Sequence, residues 1–130
     1  VVLVDEAEGA DLTKPPKEAL EELKPSPLDF VVVAYGEPGK DYEALKEALK
    51  REPRYVGLLG SRRKVKELLA KLRVEAGLDE GALKYRLYAP VGLNIGADDP
   101  AEVAISILAE IVSLRRGVEA PHLSVVGQGP

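Results

Sequence analysis

The chain contains no cysteine, no methionine and no tryptophan, and only one histidine and one phenylalanine. Without cysteine there is no disulfide, no thiolate metal site and no cysteine nucleophile. A single histidine, His122, leaves a zinc cluster or a Ser-His-Asp triad almost nothing to be made of. A dominant charge is missing too: 18 Lys and Arg stand against 22 Asp and Glu, a net charge of -4, so no bulk electrostatic attraction to nucleic acid is expected. No apolar run approaches the roughly 18 residues that span a bilayer, which excludes a helical membrane protein. The opening Val1-Val2-Leu3-Val4-Asp5 has neither a basic lead-in nor a signal-type cleavage site, and a cytoplasmic location is the expectation. With no initiator methionine, and a strand-like run that begins abruptly, the chain reads as an excised fragment.

What remains is the composition of one globular domain: 130 residues, 45% hydrophobic and 31% charged. Three apolar, β-branched runs, Val1 to Val4, Phe30 to Ala34 and Tyr55 to Leu59, read as strands buried on both faces. Each precedes a helical pattern. A short helix through Leu20 and Leu23 is closed by Pro25 and Pro27; a second, capped by Asp41, aligns Leu45, Ala48 and Leu49. A third is capped by Ser61, places Val65, Leu68, Leu69 and Leu72 on one stripe, and stops at Gly77. Asp79-Glu80 suggests a short helix, while Tyr85 to Tyr88 suits extended chain. The best-marked helix is the last: Asp99 as cap, Pro100 at the first position, Glu102 completing a capping box, Arg115 and Arg116 against the dipole, and Gly117 as the stop. From Val103 to Leu114 it is apolar on nearly every side, enough for the sheet and for a neighbour, and a homodimer is expected there. The fold class that follows is α/β, a Rossmann-like three-layer domain with a mostly parallel sheet.

The first candidate site is the turn in Tyr55-Val56-Gly57-Leu58-Leu59-Gly60-Ser61-Arg62-Arg63-Lys64. An apolar strand delivers its carboxyl end to a helix N-terminus there, where orphan amides and the helix dipole favour an anion. Cations in a first turn oppose the dipole by roughly 0.3 to 1 kcal/mol each, so three in a row are a poor choice for stability alone. Gly57, Gly60, Ser61, Arg62 and Arg63 are therefore the expected phosphate or carboxylate cradle, against the plainer reading of a solvated basic turn. Asp5, ending the first strand, suits a ribose hydroxyl or simply a strand end. Pro90, Gly92 and Gly96 in the stretch Ala89 to Ala97 either shape a ligand rim or turn a corner. Glu110, deep in the apolar helix, reads as a snorkelling or paired surface carboxylate in preference to a buried one. His122 lacks acidic or hydroxyl company at useful spacing and reads as exposed. In a doubly wound sheet a missing first strand leaves a gap between Val1 and Phe30, which the tail His122 to Pro130, with its Gly127-Gln128-Gly129, either fills or leaves by fraying.

YVGLLGSRRK at 55–64 and APVGLNIGADDPAEVAISILAEIVSLRRG at 89–117, with VVLVD at 1–5 and the strand-helix unit from Phe30 to Leu45, resemble the C-terminal Rossmann-type domain of the XdhC family of xanthine dehydrogenase accessory proteins. The resemblance covers about 1–117, leaving 118–130 as a C-terminal tail. It implies a binding and insertion chaperone for the molybdenum cofactor (molybdopterin), partnered by a cysteine desulfurase and by a xanthine dehydrogenase-type molybdoenzyme, with no bond chemistry of its own. The phosphate of that cofactor agrees with an anion cradle. Relative to the family pattern the chain lacks the first strand and its glycine turn, has Tyr35-Gly36 in place of a Thr-His pair, and has Ala7 in place of an Arg; Asp41 falls where the family is acidic. Two other readings remain open: an oxidoreductase domain using NAD or NADP, with Tyr35 and Asp41 as its few acid-base candidates, and a dimerisation or docking module built on the last helix.

Overall fold

The β-branched runs that begin at Phe30 and Tyr55 become strands, and the 3.6-period runs become helices. The computed structural model describes residues 2, 4, 5 and 9–127. Its elements are α1 (Pro16–Leu23), β1 (Phe30–Val33), α2 (Pro38–Lys50), β2 (Tyr55–Leu58), α3 (Arg62–Ala76), α4 (Glu80–Leu83), β3 (Leu87–Tyr88) and α5 (Pro100–Arg116). The strands form a parallel sheet in the order β1-β2-β3, with Phe30 opposite Tyr55, Val33 opposite Leu58, and Gly57 opposite Tyr88. Each crossover is helical, as parallel pairing requires.

Alternation along β2 divides the domain into layers. Val56 and Leu58 enter a core shared with Leu45, Ala48, Val65, Leu72, Leu83 and Leu87, supplied by α2, α3, α4 and β3. All eight are almost wholly buried; truncating any of the leucines would cost about 2 to 5 kcal/mol. Tyr55 and Gly57 face the other way, toward α5, whose Glu110 meets the Tyr55 hydroxyl. The ends of the last three helices are set by the residues expected to set them. Ser61 caps α3 and left-handed Gly77 ends it; Asp79 caps α4; Asp99 and Glu102 form a reciprocal capping box on α5, which left-handed Gly117 closes.

Three expectations need correction. The second helix begins at Pro38, with Glu37 as its N-cap, so Asp41 sits one turn inside and does not cap it. Pro38, with φ preset and no N–H to lose, starts the helix earlier. Val4 makes a single parallel bridge to Leu12, and no regular strand of the sheet precedes β1 among the described residues; Val1, Leu3 and Ala7 lie outside them. Between Val2, Val4 and Asp5 on one side and the outer edge of β1 on the other lies a cavity of about 540 Å³. Through Gly127, the last described residue, the tail is ordered against the protein and does not enter this gap. It turns back beyond β3, at the opposite side of the sheet, where Leu123 N–H donates to Gly92 O (3.0 Å) and Val125 N–H to Ala89 O (2.9 Å). Backbone groups of Ala89 and Gly92 were there to be satisfied, and Val126 is buried in the core. Gln128, Gly129 and Pro130 lie outside the described residues.

Candidate functional site

Leu59 N–H, one residue past β2, donates to Val33 O, and the chain then turns at Gly60 into α3. Ser61 is extended (φ -68°, ψ 158°), and its Oγ accepts from Lys64 N–H at 3.2 Å. That bond satisfies the third amide of the helix. The amides of Arg62 and Arg63 have no acceptor within the helix, by helix geometry alone. A Cβ on Gly60 would meet nothing closer than Lys64 Cβ at 3.8 Å, so the turn is approachable. Arg62, Arg63 and Lys64 are exposed, and Arg63 Nε lies 3.4 Å from Glu67 Oε1 on the surface.

Beside the turn is a notch of only about 40 Å³, lined by Pro38, Asp41, Gly60, Lys64 and Glu67 among others. An anion would rest on the turn, not in the notch, where two carboxylates oppose it. Asp41 closes the notch from below. Its Oδ1 accepts from Tyr35 N–H at 2.9 Å. Burial pushes its pKa above the ordinary value, against the pull of the Tyr35 and Gly36 amides and of the Lys64 charge. Asp41 thus fixes the turn after β1 with its carboxylate already engaged.

The loop after β3 runs alongside this corner because Val91 N–H donates to Leu58 O at 2.9 Å. Ala89-Pro90 is a cis peptide, and Gly92 (φ +109°) and Gly96 (φ +76°) lie where other residues are strained. The glycines divide by role. A Cβ on Gly57 would lie 2.5 Å from Val91 Cγ2 and 2.8 Å from the Tyr55 hydroxyl, and one on Gly92 would overlap Ser106 Oγ. Both are buried positions with no room for a side chain, so each is a glycine for packing reasons whatever lies beside it. Gly60 and Gly96 have open space. Asp5 lines the large cavity beside β1, together with Tyr35, and is not among the residues around the notch. The corner therefore unites Gly60, Ser61, Arg62 and Arg63, with the Pro90–Gly92 segment beside it, and leaves Asp5 in a different recess.

Two residues were misjudged from sequence. Glu110 is fully buried, and its Oε1 accepts from the Tyr55 hydroxyl (2.7 Å) and from Gly92 N–H (3.1 Å). His122 Nδ1 lies 2.8 Å from Glu110 Oε2, with the imidazole tilted against the Tyr88 ring at 5.3 Å. Burial, then the Glu110 carboxylate, holds the Tyr55 hydroxyl well above its usual pKa, so it remains a donor. The one clue in the sequence was a carboxylate inside the apolar stretch from Val103 to Leu114, one turn after Ser106.

Residues 1–111 match the family model described as the XdhC Rossmann domain. The chain belongs to this family. Among curated relatives, this XdhC Rossmann domain is 45% identical over 97 residues to an uncharacterized protein, YqeB, of Escherichia coli strain K12, a match covering 75% of this chain and 17% of that protein. It is 34% identical over 107 residues to a probable xanthine dehydrogenase subunit of Bacillus subtilis strain 168, covering 82% of this chain and 30% of the relative. Among solved structures it is similar to one described as a xanthine dehydrogenase from Bacillus halodurans, with a TM-score of 0.68 and 34% identity over 83% of this chain and 30% of the other. The chain thus spans less than a third of each of these relatives. Within the XdhC domain, no group of three or more metal-ligating side chains occurs among the described residues, and no helix there is long and apolar enough to cross a membrane.

Proposed function

We propose that this XdhC domain is part of a cytoplasmic accessory protein that binds the molybdenum cofactor, supports its maturation with a cysteine desulfurase, and inserts it into a xanthine dehydrogenase-type molybdoenzyme. The observation that carries the reading is the family match over 1–111, joined by relatives named for xanthine dehydrogenase. The corner fits the phosphate of a pyranopterin: Gly60 is open, the first amides of α3 are orphaned, and exposed Arg62 and Arg63 belong to that first turn. When bound, the cofactor supplies the redox chemistry of its eventual host enzyme; this chain's residues bind and orient it. The domain itself catalyses nothing in this account. The NAD or NADP oxidoreductase reading is the weaker one, because Asp41 already accepts the Tyr35 and Gly36 amides and so is poorly placed as an acid or base.

A pterin phosphate should raise the melting temperature, and Arg62→Ala with Arg63→Ala should weaken its binding about tenfold to a hundredfold, the loss of one or two charge-assisted hydrogen bonds. Stabilisation by NAD alone would transfer the domain to the oxidoreductase class, and unchanged affinity in the double variant would remove the cradle.

A second role, as a homodimer module, is favoured by one observation. Ile105, Leu108 and Val112 line one exposed stripe of α5 at 60%, 60% and 52% exposure. Light scattering tests it: a dimer that Leu108→Asp dissociates supports the role, and a monomer at all concentrations ends it.

A further inference from the structure

The Tyr55–Glu110–His122 cluster has no part in the anion corner, yet it joins the three segments around the loop that borders that corner. Glu110 comes from α5, Tyr55 from β2, and His122 from residues beyond the family match, which ends at 111. A single buried carboxylate oxygen accepts from both the Tyr55 hydroxyl and Gly92 N–H, and the second oxygen meets His122. The segment bearing His122 is itself zipped to the loop. Asn94 N–H donates to Pro121 O, Leu123 N–H to Gly92 O, Val125 N–H to Ala89 O, and Ala89 N–H to Ser124 Oγ. Gly92 is thus held on both sides: its amide by Glu110 and its carbonyl by the tail.

We propose that Glu110 is the positioning residue of the candidate site, and that residues 121–126 are a strap zipped to the same loop and tied to Glu110 through His122. The carboxylate fixes where the loop from Ala89 to Asn94 lies against the end of β2, and His122 makes that placement depend on the strap. A carboxyl group buried only for stability would be hard to understand, since burying a polar group is costly and a leucine there would pack more cheaply. What its two oxygens supply is direction, because only acceptors at that point can hold a backbone amide, a hydroxyl and an imidazole together. The placement rests on the corner reading of the site only for its functional consequence; the mechanical claim stands apart.

The test is amide hydrogen exchange of the whole chain without ligand, followed by a titration with inorganic pyrophosphate. Glu110→Ala should speed exchange at Gly92, Leu93 and Leu123 by at least about tenfold, the loss of one buried hydrogen bond or more, while Val56 and Leu58 keep their protection. Glu110→Gln, whose amide oxygen can still accept from Tyr55 and Gly92, should restore most of it. If Glu110→Ala does not fold, His122→Phe replaces it: the ring packing against Tyr88 is kept, and exchange at Leu123 and Gly92 should still rise together. Pyrophosphate affinity should fall in the same variants that loosen the loop. Loop exchange unchanged in the folded variants, or Glu110→Gln as loose as Glu110→Ala, overturns the proposal. Failure of the native chain to bind pyrophosphate counts against the corner reading, while the exchange pattern still decides the role of Glu110.

Discussion

Replacing Gly57 by alanine separates a glycine kept for packing from one kept for a ligand. A Cβ there would lie 2.5 Å from Val91 Cγ2, 2.8 Å from the Tyr55 hydroxyl and 2.9 Å from Tyr55 Cε1. None of these atoms has room to retreat, since Val91 and Tyr55 are themselves buried and the Tyr55 hydroxyl is tied to Glu110. Overpacking of this kind costs about 1 to 3 kcal/mol. In a domain of this size that lowers the melting temperature by roughly 3 to 15 °C. Gly60→Ala is the internal control: its nearest neighbour is at an ordinary 3.8 Å and its φ is not in the left-handed region, so stability should hold within about 0.5 kcal/mol. Urea denaturation of both variants, with calorimetry, gives the two numbers. Val91→Ala in the Gly57→Ala background should recover part of the loss, giving a coupling of at least about 0.5 kcal/mol between the sites. A Gly57→Ala protein as stable as its parent would refute the packing argument and return Gly57 to the ligand surface.

Asp99→Ala removes half of a capping box and should cost about 0.5 to 2 kcal/mol by urea denaturation; a loss below about 0.2 kcal/mol would mean that α5 is held by packing alone. Glu102 accepts from the Asp98 and Asp99 amides, which hold its carboxyl below the ordinary 4.5. A depressed carboxyl stabilises above its unfolded value and loses that contribution as the pH falls through the folded one, so stability should drop in acid and Glu102→Gln should flatten that drop. Asp41 has the opposite sign: burial raises its pKa above 3.8, so its contribution is greatest below that value and is lost as the pH rises through the folded one. Stability measured between about pH 3 and 7 in Asp41→Asn should lack this component, and an unchanged profile would contradict the assigned shift.

Features that reside in a few neighbouring residues were legible in the sequence. Ser61 and Lys64, Asp99 and Glu102, Gly77 and Gly117 act within one turn of chain, and each does in the structure what its spacing implies. The parallel sheet followed from runs such as Val31-Val32-Val33 between helical patterns. Asp41 misled because two start signals competed and Pro38 came first. Glu110 and His122 misled because their company arrives from elsewhere: Tyr55 is 55 residues away, and His122 returns only after the tail reverses along Ala89–Leu93. Gly57 and Gly92 carry the same letter as Gly60, and only the neighbours beyond each missing Cβ tell a packing glycine from an open one. Which anion the corner takes is a matter of cofactor chemistry, which the family match addresses and the local pattern does not.

A negatively charged group docked where β2 meets α3 would perturb the amides of that corner. Titrating the isotopically labelled chain with a pterin phosphate while following backbone amide resonances tests this docking most directly. Saturable shifts should concentrate at Gly60, Ser61, Arg62 and Arg63 and be abolished by Arg62→Ala with Arg63→Ala. Shifts confined to the recess lined by Asp5 and Tyr35, or none at saturating ligand, would contradict it.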